Sequence, residues 1–231
     1  MAGELVKEWA GLQQFPTATQ DQLVDLLAKL KSQNVDTLTI LVMGKCGVGK
    51  SSTINSIIGE RVVTVGAFQS ETPRPVMVSR TRGGITLNII DTPGLVEAGC
   101  VNGQALDTIK RFLLTKTVDV LVYVDRLDAY RVDDLDKQVL KAITDSFGKE
   151  IWHKAMVVFT HAQFSPPDAM DYEEFFSKRS EAFLKCVRQG ARISKKGVQV
   201  CFNVIYHFYI LFPLCKFIFC DTQGSKRREA W

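Results

Sequence analysis

Residues 44–52 read Gly44-Lys45-Cys46-Gly47-Val48-Gly49-Lys50-Ser51-Ser52, an order of residue types suited to holding a polyphosphate. Glycines at this spacing let successive backbone N–H groups turn inward around an anion. Lys50 supplies a point charge for β- and γ-phosphates, and the Ser51 hydroxyl is an oxygen donor for Mg2+. The cradle therefore comprises Gly47, Val48, Gly49, Lys50, Ser51 and Ser52. A helix beginning there would point its positive end at the same anion.

A second constellation lies about 40 residues further on, at Asp91-Thr92-Pro93-Gly94. A carboxylate at the C-terminal end of a strand can hold Mg2+ through water, and Gly94 offers an N–H to a γ-phosphate. The next residue, Leu95, cannot orient an attacking water as a glutamine does, so any hydrolysis is expected to be slow or completed by another molecule. At Thr160-His161-Ala162-Gln163 the sequence stands where a guanine-reading N/T-K-x-D would be expected. Gln163 replaces the aspartate and His161 the lysine, and an imidazole can stack on or bond to a purine. In the stretch Arg126-Leu127-Asp128-Ala129-Tyr130-Arg131 the two arginines are either solvated charge or groups that reach a partner's nucleotide, and the chemistry leaves both readings open.

These groups need a scaffold, and the apolar runs supply one. Leu38–Met43, Leu87–Ile90, Val118–Val124 and Ala155–Phe159 are continuous apolar stretches separated by helix-compatible segments. Strands of that kind belong to a parallel sheet covered on both faces. The expected fold is α/β, a mostly parallel central sheet with helices on both sides and the phosphate loop after the first strand. Leu23, Leu26, Leu27 and Leu30 predict an amphipathic helix over 20–33 that packs on the domain.

With 231 residues, 46% of them hydrophobic, the chain can build one sizeable core, and global disorder is excluded. A net charge of +4 without a basic stripe and interleaved aromatics argues against nucleic acid as partner. The six cysteines form no C-x-x-C pair and read as reduced thiols. The N-terminus carries Glu4 and Glu8 and no apolar core of a signal peptide.

Taken together, GKCGVGKSS, FQSETPRPVMVSR, LNIIDTPGL, VDRLDAYRVDDLD and THAQFSPPD resemble the small Toc GTPase receptors of the chloroplast outer envelope, from about Trp9 to about Gly197. The resemblance implies a septin-like GTPase of AIG1 type that binds GTP or GDP with Mg2+ and hydrolyses GTP slowly. It implies a receptor for the transit peptides of plastid preproteins at the outer membrane, with its GTPase domain facing the cytosol. Implied partners are a second copy, a larger Toc GTPase and other translocon subunits. By the same resemblance Gly66, Ala67, Phe68 and Gln69 belong to the first switch, with Gln69 near the metal, and His161 contacts guanine. Arg126 and Arg131 fall at the dimer interface. The candidate catalytic set is then Lys50, Gly94 and Arg131, and the candidate metal set Ser51, Gln69 and Asp91. Two other readings remain: a non-catalytic dimerising subunit with weak nucleotide binding, and a septin-like or immunity-associated GTPase at another membrane.

Cys46 stands where the family often has glycine, with little expected loss. After Val200 the sequence departs from the family pattern, and the Glu-Asn pair that grips guanine is absent. The expected organisation is a GTPase domain over 1–199, an apolar segment over 200–220 and a polar tail over 221–231. Val200–Cys220 is about as long as a bilayer-spanning helix and is expected to act as a tail anchor. Its aromatics suit a buried strand nearly as well.

Overall fold

The computed structural model describes residues 9, 17–65, 74–162, 166–167, 170–191, 193 and 202–204. Helix α1 (Thr17–Ser32) begins three residues before the expected start. It buries Leu23, Leu27 and Leu30 on one face and stops where Asn34 turns left-handed at φ 58°. There the Val35 N–H donates to the Leu30 carbonyl at 3.0 Å, closing the last turn.

Strand β1 (Thr37–Gly44) leads through the phosphate loop into α2 (Lys50–Ile58). Next come β2 (Val76–Arg82), β3 (Ile85–Asp91), the small hairpin β4 (Val96–Glu97) and β5 (Cys100–Val101), and α3 (Gly103–Leu113). The second half comprises β6 (Val120–Arg126), α4 (Asp134–Phe147), a 3-10 turn (Lys149–Lys154), β7 (Ala155–Thr160), α5 (Tyr172–Ala191) and β8 (Phe202–Val204). The main sheet runs β2-β3-β1-β6-β7-β8. Only the β2–β3 pairing is antiparallel. The expected α/β class and mostly parallel sheet are thus present, and the four apolar runs lie in β1, β3, β6 and β7.

Alternation along these strands divides the core in two. Ile40, Val42, Val122, Val124, Met156 and Val158 face α1 and α2. Leu41, Met43, Leu121, Tyr123, Val157 and Phe159 face α3, α4 and α5. Both faces are buried, so the runs show no polar alternation. Each fully buried aliphatic side chain contributes about 1.5–3 kcal/mol.

Strand β2 had no expectation attached to it. Val76, Met77, Ser79 and Thr81 are exposed, as befits a solvent-facing edge, so only the three apolar residues Val76, Met77 and Val78 mark it before the polar Ser79–Arg82. The signal was the turn: Gly83 and Gly84 have φ 55° and 77°, the backbone that a two-residue hairpin loop demands.

The apolar segment after Val200 needs a correction at its start. Phe202–Val204 pairs in parallel with Val157–Phe159 of β7, so these residues extend the sheet and are not the first turn of a spanning helix. The free edge of β7 supplies the hydrogen bonds that a strand here requires. Residues 205–231 lie outside the described residues. Among the described residues no helix is long and apolar enough to cross a membrane.

Candidate nucleotide site

In the sheet β1 lies between β3 on one side and β6 on the other, so the strand order reverses there and a crevice opens at the C-terminal end of β1. Gly44 ends that strand. A Cβ there would meet the Val124 carbonyl oxygen at 2.3 Å, so only glycine allows β1 and β6 to approach this closely. Gly47 and Gly49 have φ 70° and 94°, the left-handed backbone that turns N–H groups to one side. Gly49 immediately precedes the first turn of α2, whose N–H groups face the same space.

Lys50 is 5% exposed, and its Nζ donates to the Lys45 carbonyl at 2.8 Å, across the loop it would serve. The Ser51 hydroxyl donates to Asp91 Oδ2 at 2.8 Å. Its proton is therefore engaged on the carboxylate, and its lone pairs remain for a cation. That arrangement fits Mg2+, which would be held by Ser51 and, through water, by Asp91. Among the described residues no group of three or more His, Cys, Asp or Glu forms a cation cage; phosphate oxygens and water would complete the shell.

Thr92 and Leu95 fasten the second loop to the first. Thr92 Oγ1 donates to the Val42 carbonyl at 2.7 Å, and the Leu95 N–H donates to the Gly44 carbonyl at 3.1 Å. Gly94 lies between these ties and is buried, beside the start of the phosphate loop. Leu95 is fully buried in the core facing α3, α4 and α5, so it is withdrawn from the crevice as well as chemically unable to orient water.

The loop that follows β7, where a purine reader is expected, is joined to the phosphate loop by Thr160, a contact the motif reading missed. Thr160 Oγ1 donates to the Val48 carbonyl at 2.6 Å and lies 2.9 Å from His161 Nδ1. A Cβ on Gly49 would sit 3.3 Å from the Thr160 methyl. His161 is exposed with φ 53°, a left-handed conformation that turns the chain as it leaves β7. Gln163 lies outside the described residues, as do Gly66, Ala67, Phe68 and Gln69, so the expectations on the first switch and its metal contact fall there.

The two arginines differ. Arg126 is clamped by Asp128 through Nε at 2.9 Å and Nη2 at 2.6 Å. That pairing raises the Arg126 pKa and lowers that of Asp128. Arg131 is exposed and has no ion-pair partner among the described residues, so its guanidinium is available to another molecule.

Sequence reasoning also missed a buried charge cluster under the loop. Lys45 Nζ lies 2.5 Å from Asp136 Oδ1 and 3.5 Å from Asp125 Oδ1. On the far side, Arg179 Nη2 bonds Asp125 Oδ2 at 2.8 Å. The guanidinium also sits 5.3 and 5.5 Å from the Phe159 and Phe183 ring centres. Burial works to lower the Lys45 pKa, but Asp125 and Asp136 together hold it above the usual value. Burial raises Asp125 above the ordinary carboxylate range, against the pull of Lys45 and with Asp136 adding to the rise. Nearby Cys186 is pushed up to about 11, chiefly by burial, which makes its thiol inert at neutral pH. The partners stand 54 to 91 positions apart in sequence. Only the Asp133-x-x-Asp136 spacing, that of a capping box, could have flagged one of them.

Comparison with known proteins agrees with this geometry. The model of the AIG1 family matches residues 38–196. Translocase of chloroplast 34 from Pisum sativum is 68% identical over 192 residues, 83% of this chain and 62% of that protein; the chain thus spans under two thirds of this relative's length. The solved structure of Arabidopsis thaliana Toc33 in complex with GDP and Mg2+ superimposes with a TM-score of 0.81 at 51% identity, over 95% of this chain and 98% of the other. A dimerisation-deficient arginine-to-alanine variant of the same Arabidopsis protein gives a TM-score of 0.83 at 51% identity, over 95% and 98%. With phosphate loop, crevice and sequence all in agreement, the chain belongs to the AIG1 family and, within it, to the Toc GTPases.

Proposed function

We propose that this chain binds GTP and GDP with Mg2+ in the crevice at the end of β1 and hydrolyses GTP slowly. In this reading it acts as a receptor for plastid preproteins at the chloroplast outer envelope. The observation that carries the nucleotide reading is the Ser51–Asp91 hydrogen bond of 2.8 Å beside a loop of left-handed glycines. It aligns a hydroxyl and a carboxylate for a cation next to a phosphate cradle. The GDP and Mg2+ bound to the Arabidopsis Toc33 structure support it.

In the proposed site the N–H groups of Gly47–Ser52 hold the β-phosphate. Lys50 exchanges its bond with the Lys45 carbonyl for one with β- and γ-oxygens. Gly94 presents its N–H to the γ-phosphate, and His161 lies beside the guanine. Mg2+ would neutralise charge on the phosphates when bound. Burial of Leu95 leaves water orientation without a side chain at that position, which supports a slow intrinsic rate. Arg131 faces a partner across the nucleotide side, either a second copy or a larger Toc GTPase. The dimerisation-deficient arginine variant of the Arabidopsis protein supports an arginine in that role.

Recognition of transit peptides and a cytosol-facing orientation rest on the relatives' identity as chloroplast translocases. Attachment to the membrane rests on the apolar composition of residues 205–220. Retention in the pellet after carbonate washing supports attachment, and release overturns it. The nucleotide reading is tested by calorimetric titration of the purified chain with GTP, GDP and ATP in Mg2+. Saturable binding of both guanine nucleotides supports it, and failure of both to bind refutes it.

A further inference from the structure

A single carboxylate, Asp136, touches both loops that the proposed function requires to act together. Its Oδ1 pairs with Lys45 Nζ, inside the phosphate loop, at 2.5 Å. Its Oδ2 accepts the Asp133 N–H at 3.0 Å, while Asp133 Oδ1 accepts the Asp136 N–H at 2.8 Å. That reciprocal pair is the capping box that starts α4. It also ends the segment 127–133, which carries exposed Arg131 and begins where the Leu127 N–H bonds the Thr160 carbonyl at 2.9 Å. Asp136 is 1% exposed; its helix packs on α5 and buries Val139, Leu140 and Ile143 in the core. The carboxylate is therefore firmly placed, and its two oxygens hold two different segments of the nucleotide face.

We propose that Asp136 is a positioning residue that couples the partner-facing segment 127–133 to the phosphate loop through Lys45, so that the bound nucleotide sets the strength of self-association. The proposal rests on the reading that nucleotide occupies the phosphate loop and that Arg131 meets a partner. Lys45 is the one lysine of the loop held from below by acids rather than pointing at the phosphate space. A loop that shifts as phosphate enters or leaves pulls on Asp136 Oδ1. The same rigid carboxylate then alters the cap at Asp133 and, with it, the presentation of Arg131. Linkage requires the effect to run both ways: whatever nucleotide does to association, association does to nucleotide affinity by the same factor. The structure supplies the physical contact such linkage needs, two hydrogen bonds on one buried carboxylate.

The test is the dimer dissociation constant of the full chain by sedimentation equilibrium, once with Mg-GDP and once with Mg-GMPPNP. The parent is expected to show values at least about fivefold apart. Asp136→Asn keeps an oxygen for the Asp133 N–H but sets an amide donor against Lys45, and should bring the two values within about twofold of each other. Asp136→Glu restores the charge, and glutamate suits this position of a capping box, so it should retain the difference. Lys45→Met breaks the pair from the other side without touching the cap and should reproduce the asparagine result; it decides the matter if Asp136→Asn does not fold. The proposal is overturned if the parent shows no difference, if both pair-breaking variants keep the parental ratio, or if the glutamate variant loses it as fully as the asparagine variant. Titration of the parent with GMPPNP separates the failures. No binding means that the nucleotide reading has failed and the coupling with it, whereas binding and dimerisation without linkage remove the coupling alone.

Discussion

Replacing Arg179 by methionine tests whether the buried cluster holds the nucleotide face together. Arg179 and Asp125 are 3% and 0% exposed, and the guanidinium bonds the carboxylate at 2.8 Å. Methionine fills part of the space between Phe159 and Phe183 but leaves Asp125 with Lys45 at 3.5 Å as its remaining cation. Removing one member of a buried pair costs about 3–5 kcal/mol, because the other charge stays behind. For a chain of this size each kcal/mol lowers the melting temperature by about 2–4 °C, so a loss of roughly 6–20 °C is expected. Thermal unfolding followed by circular dichroism reads it. The pH dependence adds a second constraint. Burial already holds the folded-state pKa of Asp125 above the ordinary carboxylate value, so between the unfolded and folded values the folded state binds more protons. Stability therefore falls as pH rises through that window. Arg179 pulls the Asp125 pKa down; its loss raises that pKa further, and the deficit against the parent should be smaller at pH 5 than at pH 7. The double variant Arg179→Met, Asp125→Leu removes both charges, leaves Lys45 its partner Asp136, and should recover most of the loss. A single variant melting within about 2 °C of the parent, or a double variant no better than the single, would refute the reasoning.

Lys50→Ala should weaken GTP binding at least about tenfold, as for a lost charge-assisted hydrogen bond; parental affinity by calorimetry would remove Lys50 from the phosphate cradle. Arg131→Ala should shift sedimentation towards monomer with little change in melting temperature, since the side chain is exposed, and unchanged dimer content would take it out of the interface. Asn55 accepts the N–H groups of Val62 and Val63 and donates to the Val63 carbonyl, each at 2.9 Å. Asn55→Ala should therefore cost about 1–3 kcal/mol in urea unfolding, and a loss under about 0.5 kcal/mol would show that water replaces the clamp. Cys46 is exposed within the phosphate loop; saturating Mg-GDP should protect it from maleimide while exposed Cys100 reacts as before, and equal labelling of Cys46 with and without nucleotide would place the ligand elsewhere.

The phosphate loop could be read directly because it is contiguous. Gly47 and Gly49 permit a backbone that few other residues adopt, and Lys50 and Ser51 follow them on the first turn of a helix, so nine neighbouring residues carry both the geometry and the chemistry. The strands β1, β3, β6 and β7 were legible for a related reason: burial on both faces demands unbroken apolar runs, and the runs are there. Tertiary structure decided the rest. Exposed β2 has only three apolar residues in a row, Val76 to Val78, and is defined by pairing with β3. Phe202–Val204 are aromatic and β-branched around Asn203, equally compatible with a strand or an apolar helix, and the open edge of β7 chooses between them. Lys45 and Asp136 are 91 positions apart, and Asp125 and Arg179 are 54 apart. No local rule links such pairs. Only the crossing of β1, β6, α4 and α5 brings the four charges together, away from water, where each requires the others.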